Sequence, residues 1–254
     1  MPMTRFTNPP LPGRAIAWLG MLTATLLPTV THAQEADPAP TPFSVQGEEI
    51  ALVFNDGPIP GQTNKILDAL LAAGMRASFS VVASRVEENP TLAKRIVSEG
   101  HELVNQTYSK TDAKNATPTD FINDVMLGQR VIERVTGAKP RYFRAPNNIL
   151  PPDIRAYLEG QGFLILEPTL DSGDWRNPSA AKLKRTIMTG VTPGAIILAH
   201  DSFPNSVAAM PAIIADLARS GYQSLTISEL QTAATAQESI PSGFSPPPPV
   251  PNPQ

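Results

Sequence analysis

The sequence predicts an α/β domain in which about seven parallel strands alternate with helices. Three observations carry that expectation: short apolar runs recur between helical patterns, proline opens several of those patterns, and glycine closes them. Proline also marks the limits of the domain. Of the 28 prolines, 15 lie in residues 1–42 and 241–254, and 13 lie in the 198 residues between.

The first strand is the apolar run 50–54, and the helix after it covers 64–73 and stops at Gly74. Further strands are expected at 77–82, 102–105, 142–144, 163–170, 195–199 and 222–227, all rich in residues that suit a buried sheet. Pro90 and Pro118 stand where a first helical turn tolerates a residue without an N–H. Ser179 is placed to cap the next helix, and Gly100, Gly137, Gly190 and Gly221 follow helix ends.

Outside this domain the chain reads differently. Arg5 and Arg14 precede an apolar run at 15–30, and Thr31-His32-Ala33 follows it, the layout of a secretory signal peptide over residues 1–33. The run is interrupted by Gly20, Thr23, Thr25 and Pro28 and falls short of the roughly 20 apolar residues that span a bilayer. Cleavage near Ala33, a secreted or periplasmic location and a mature chain without a transmembrane segment are therefore expected. Residues 34–47 read as a disordered linker, 48–236 as the folded domain and 237–254 as a Pro-rich disordered tail. The tail serves as a polyproline spacer or as a docking segment for a protein partner. The chain has no cysteine, which excludes a disulfide framework. Its formal net charge of -3 carries no basic block, which argues against nucleic acid or an anionic membrane surface as the main partner.

Polar residues that stand out fall just after the expected strands: Asn55 and Asp56 after the first, residues 106–110 after the third, Arg144 at the fourth, Asp171 and Asp174 after the fifth, and His200 after the sixth. In a closed parallel barrel these positions share one face, the face on which barrel enzymes build their sites.

The stretches FNDGP at 54–58, NQTYSK at 105–110, FRAP at 143–146, DSGDW at 171–175 and LAHD at 198–201 together resemble the polysaccharide deacetylases that share the NodB homology domain. The resemblance covers roughly residues 48–230 and implies a distorted barrel of about seven βα units acting on N- or O-acetylated sugar polymers. In active members it implies a divalent metal, usually zinc, held by one Asp and two His, with a neighbouring Asp activating water.

On that resemblance Asp56 matches the metal-binding Asp, Asn55 stands in place of the base, and Gln106 and Lys110 stand in place of the two His ligands. A carboxamide nitrogen has no free lone pair with which to take a proton, so Asn55 cannot replace a general base. Arg144 matches the arginine that orients the base, Asp174 the acid that hydrogen-bonds the catalytic His, and His200 the general acid. Trp175 and Leu198 match walls of the acetyl groove, and Asn147, after FRAP, joins them as a substrate-binding candidate. No bound metal or other cofactor is expected.

Two readings of Lys110 stand side by side. Its ammonium takes the place of the metal charge beside Asp56, with Gln106 and Asn55 bonding around it, or it points into solvent. At about 4 Å the first arrangement gains about 4 kcal/mol at an effective dielectric of about 20. His101 is expected at the opposite rim, roughly 16 Å from Gln106, as a structural residue. Ser109, Ser172 and Ser202 lack a nucleophile elbow and read as turn and cap residues. Three functions follow. The chain binds acetylated glycan of chitin or peptidoglycan type without hydrolysing it, or acts as a divergent deacetylase or esterase with a rearranged metal site or none, or serves as a structural partner in an envelope complex.

Overall fold

A computed structural model of the chain describes residues 43–238. The expected signal peptide, most of the linker and nearly all of the Pro-rich tail lie outside these residues. The described chain runs β1 (Glu49–Asn55), α1 (Thr63–Ala73), β2 (Ser78–Val81), α2 (Ala83–Glu88), α3 (Pro90–Ser98), β3 (Glu102–Asn105), α4 (Pro118–Thr136), β4 (Tyr142–Phe143), α5 (Pro152–Gly160), β5 (Leu164–Ile165), β6 (Leu170–Asp171), α6 (Ala180–Gly190), β7 (Ile196–His200), α7 (Pro204–Arg219), β8 (Gln223–Leu225) and α8 (Ile227–Glu238).

All strand pairs are parallel, in the order β5-β4-β3-β2-β1-β7-β6, with β8 beside β1. The sheet curls as a half-barrel with helices around it. β1 is its axis, paired with β7 over residues 51–55 on one edge. The other edge is shared, by β8 over residues 49–51 and by β2 over residues 53–55. At the handover Leu52 would lose its ladder partner. Instead its N–H donates to Ser224 Oγ at 3.1 Å, and that hydroxyl donates to the Arg76 carbonyl at 2.7 Å, so no buried amide goes unsatisfied there.

One expected strand divides. Within it Leu164–Ile165 form β5 and Leu170–Asp171 form β6 at opposite ends of the sheet, and between them Pro168 supplies no ladder N–H and disfavours a helical Glu167. The count rises from seven to eight for this reason alone. Gly190 also differs from its expected place after a helix. It is the last residue of α6, where an added Cβ would come within 2.8 Å of Leu170 Cδ1, so its smallness lets α6 approach β6.

Side chains of β1 alternate between two cores, as the period of a strand requires. Ile50, Leu52 and Phe54 pack outward against Ile66, Leu67 and Leu70 of α1 and the apolar face of α7, while Ala51 and Val53 face inward with Val104, Ile196 and Leu198. Fully burying each large side chain stabilises the fold by about 1.5–3 kcal/mol. Pro90 and Pro118 open α3 and α4, Ser179 Oγ accepts from the Lys182 N–H at 3.3 Å, and Gly74 and Gly137 end their helices in the left-handed region. Among the described residues no helix is long and apolar enough to cross a membrane.

Candidate functional site

The strands deliver their C-terminal ends to one rim, where Asn55 stands in register with His200 on one side and Ser80 on the other. Asp56 follows with φ at 81°, a left-handed conformation that a non-glycine residue keeps only when its surroundings hold it. They do. Its N–H donates to the Ser80 carbonyl at 2.9 Å and to Gln106 Oε1 at 3.1 Å, and its own carbonyl accepts from Arg85 Nη1.

The Asp56 carboxylate is equally engaged. Gln106 Nε2 donates to Oδ1 at 3.1 Å, while Oδ2 accepts from Ser202 Oγ at 2.9 Å and lies 2.8 Å from Lys110 Nζ. Burial alone raises the pKa of this carboxyl. The hydrogen bond and charge of Lys110, with help from His200 and Ser202, outweigh that and hold it below its usual value. Of the two readings of Lys110, the structure has the one in which the ammonium sits on Asp56. Asn55 departs from the expectation, since its buried Oδ1 has no hydrogen-bond partner, and Gln106 bonds Asp56 rather than the ammonium.

Across the cleft Asp174 is held in a short turn, Asp174–Arg176, after Gly173. Its Oδ1 lies 2.7 Å from His200 Nδ1, and its Oδ2 accepts from the His200 N–H and from Ser206 Oγ, both at 2.7 Å. A carboxylate only accepts, so Nδ1 carries the proton and Nε2 is the imidazole nitrogen left for a ligand. Trp175 is 47% exposed, ties Nε1 to Asp171 Oδ2 at 3.1 Å and lies under the Arg176 guanidinium at 4.4 Å.

These groups line a cleft of about 330 Å³. Nine expected site residues border it: Asn55, Asp56, Gln106, Lys110, Arg144, Asn147, Trp175, Leu198 and His200. Asp174 stands behind His200. Asn147 donates from Nδ2 to Asp112 Oδ2 at 2.9 Å. Arg144 differs from the role its resemblance implies, because its guanidinium bonds Asn148 Oδ1 and makes no hydrogen bond to Asn55. Burial pushes it down to about 10, still a cation at neutral pH.

The sequence reading missed Asn148 and Phe203 on the cleft wall, Arg85 beneath Asp56, and Asp201. Asp201 is fully buried beside Thr63, which donates to Oδ2, and burial raises it to about 7. An added Cβ on Gly57 would collide with that carboxyl at 2.1 Å. The positions after β2 and after His200 were the available signals for Arg85 and Asp201. His101 lies away from this cleft, where its Nδ1 accepts from the Ala77 N–H at 3.2 Å and burial lowers it to about 4. Of the serines, Ser172 accepts from the Asp174 N–H in a turn, whereas Ser109 departs from the turn-or-cap expectation by bonding Asp124 of α4 from its loop, and Ser202 belongs to the site through Asp56.

The donors beside Asp56 do not fit a divalent cation. Gln106 offers a neutral amide already spent on Asp56, and Lys110 offers a competing positive charge. Among the described residues no group of three or more His, Cys, Asp or Glu is placed to hold a metal ion.

A curled parallel sheet with a polar cleft at its strand ends, an Asp-supported His and an exposed indole defines a carbohydrate-deacetylase type of domain. The chain belongs to the polysaccharide deacetylase family, whose pattern its residues 44–165 match. It is 33% identical over 156 residues to a chitooligosaccharide deacetylase of Bradyrhizobium, covering 61% of this chain and 71% of that protein. The solved structure of peptidoglycan deacetylase PdaC from Bacillus subtilis superposes with a TM-score of 0.72 at 29% identity, covering 76% of this chain and 94% of the solved one. The chain spans 40% of the full curated length of PdaC. A CE4 family pseudoenzyme from Bacillus anthracis superposes with a TM-score of 0.68 at 25% identity, covering 74% of this chain and 66% of that one. A mutant of the same protein is described as having restored enzymatic activity.

Proposed function

We propose that this protein is an exported member of its family that has lost metal-dependent hydrolysis and keeps its cleft for binding acetylated glycan of chitin or peptidoglycan type. The observation that carries the reading is the Lys110 ammonium 2.8 Å from Asp56 Oδ2. It supplies a fixed positive charge beside the carboxylate, and Asn55 supplies no base with which to activate water. The Bacillus anthracis pseudoenzyme supports such a loss within this fold.

The remaining residues serve binding. Trp175 offers an indole face for the apolar side of a sugar ring, Leu198 an apolar wall, and His200, oriented by Asp174, a hydrogen-bonding nitrogen. Residues 1–33 act as the signal, 34–47 as a linker, 48–236 as the binding domain and 237–254 as a tail that spaces or docks it in the envelope.

The test combines metal analysis of dialysed protein, acetate release from chito-oligosaccharide and peptidoglycan fragments, and calorimetric binding of the same ligands. Binding without acetate release and with far less than one metal per chain is expected. The intact His200–Asp174 contact favours a second reading, metal-independent cleavage of acetyl esters. Turnover of an aryl acetate that disappears in His200→Gln would establish that reading instead.

A further inference from the structure

Arg144 carries a charge that the cleft does not match. Its side chain is almost fully buried, yet it makes one hydrogen bond, from Nη2 to Asn148 Oδ1, and its Nε has no partner. No Asp or Glu forms an ion pair with it among the described residues. The two carboxylates that border the cleft are already engaged. Asp56 is paired with Lys110, and Asp171 accepts from the Gly173 N–H at 2.9 Å and from Trp175 Nε1.

A buried cation with unused donors is costly unless an anion reaches it. The guanidinium borders the cleft, and a charge-assisted hydrogen bond from its Nη atoms suits a carboxylate. Burial lowers its pKa to about 10 even though the charges of Glu167, Asp171 and Asp56 act to raise it, so these carboxylates offset the burial only in part. Asn55 contributes by being neutral, since a carboxylate at that place would add a negative charge to the same cleft.

We propose that the cleft recognises a carboxylate-bearing sugar, with the carboxylate on the Arg144 guanidinium and the ring against Trp175. The inference deepens the reading of this cleft as a glycan site and rests on it. About 330 Å³ lies at the small end of ligand sites, suited to a sugar ring with one acidic substituent. That acid has two chemical sources, the ring carboxylate of a uronic acid and the lactyl ether of muramic acid.

Calorimetric titration of the whole protein with five kinds of probe separates the outcomes. These are a neutral N-acetylglucosamine tetramer, a tetrasaccharide alternating N-acetylglucosamine with glucuronate, an N-acetylglucosaminyl-N-acetylmuramic acid disaccharide, and the methyl ester of each acid. One acid is expected to bind about tenfold or more tightly than its ester, as a charge-assisted hydrogen bond implies, with the gain shrinking in salt. Whichever acid shows the gain identifies the source. The gain should vanish in Arg144→Gln and in Asn55→Asp; the second variant carries the test if the first fails to fold. Equal binding of acid and ester, or a preference that survives in Asn55→Asp, overturns the carboxylate inference and leaves the neutral glycan site standing. No heat from any probe overturns both.

Discussion

Gln106 clasps Asp56 at both ends, accepting from its backbone N–H with Oε1 and donating to its carboxylate with Nε2, each at 3.1 Å. A single carboxamide thus fixes the main chain and the side chain of the residue at the centre of the cleft. One N–H and one lone pair of Gln106 are thereby committed to Asp56.

Metal content follows from that arrangement. Dialysed protein is expected to carry far less than one zinc per chain, and the triple variant Asn55→Asp, Gln106→His, Lys110→His to approach one. Elemental analysis of both decides it. Near-stoichiometric metal in the unaltered protein would sink the loss of hydrolysis, and a folded triple variant that takes up none would show that the pocket has moved away from the family arrangement.

Lys110→Met leaves the buried Asp56 carboxylate without its cation. Breaking a fully buried pair costs about 3–5 kcal/mol, and because Lys110 is 38% exposed the loss here is expected nearer about 1–2 kcal/mol at pH 7. Asp56 has a lowered folded pKa, so its contribution is present above 3.8 and fades as pH falls below it. Urea denaturation at pH 7 and pH 3 should show the gap between the two proteins shrink at the lower value.

Asp201 acts with the opposite sign. Its folded pKa is raised from 3.8 to about 7, first by burial, so folding favours its protonated form. That contribution is complete below 3.8, declines as pH rises and is gone above about 7. Asp201→Asn keeps a neutral group of the same shape beside Thr63. The variant should flatten the fall in stability between pH 4 and pH 7 and melt higher than the unaltered protein at pH 8, a difference on the order of a few kcal/mol. Parallel pH profiles in thermal denaturation would overturn this assignment.

In protein that begins at Gln34, Trp175 is the only tryptophan, so its emission reports on the cleft alone. Acetylated chito-oligosaccharide or peptidoglycan fragments should shift or quench it, and Trp175→Phe should weaken binding measured by calorimetry. Unchanged emission at millimolar ligand, with no heat, would favour the structural-partner role.

Export is checked by intact mass. Protein recovered outside the cytoplasm should start at Gln34, and retention of residues 1–33 would count against the signal peptide.

Most of the scaffold was legible because each β1-to-β4 unit announces itself by an apolar run and a proline or glycine at a helix end. The run at 163–170 was not, since its composition suits one strand and only the position of Pro168 relative to the sheet edges divides it. The cleft was legible in two ways: Asn55, Asp56, Gln106, Lys110, Arg144 and His200 stand at or just beyond strand ends, while Asn147, Trp175 and Leu198 came with the family resemblance. What the chain could not announce were partners supplied by contact. Ser202 looked like a turn residue until its hydroxyl met Asp56, and Arg144 kept its place while its bond went to Asn148. Hydrogen-bond choice depends on angstrom-scale placement that no spacing in the sequence encodes.

The ammonium on Asp56 and the neutral amide at Asn55 have a joint consequence for reversibility. Compared with the arrangement the family resemblance implies, the cleft has given up one negative charge and replaced a dication by a monocation, so its formal sum is conserved. Undoing one change alone breaks that balance. Asn55→Asp first gathers two carboxylates around one ammonium, and Lys110→His first strips Asp56 of its fixed counter-charge. On the proposed function the two positions are therefore coupled through charge: reversing either alone unbalances the cleft, and only reversing both together, with the dication back in place, returns the sum to zero.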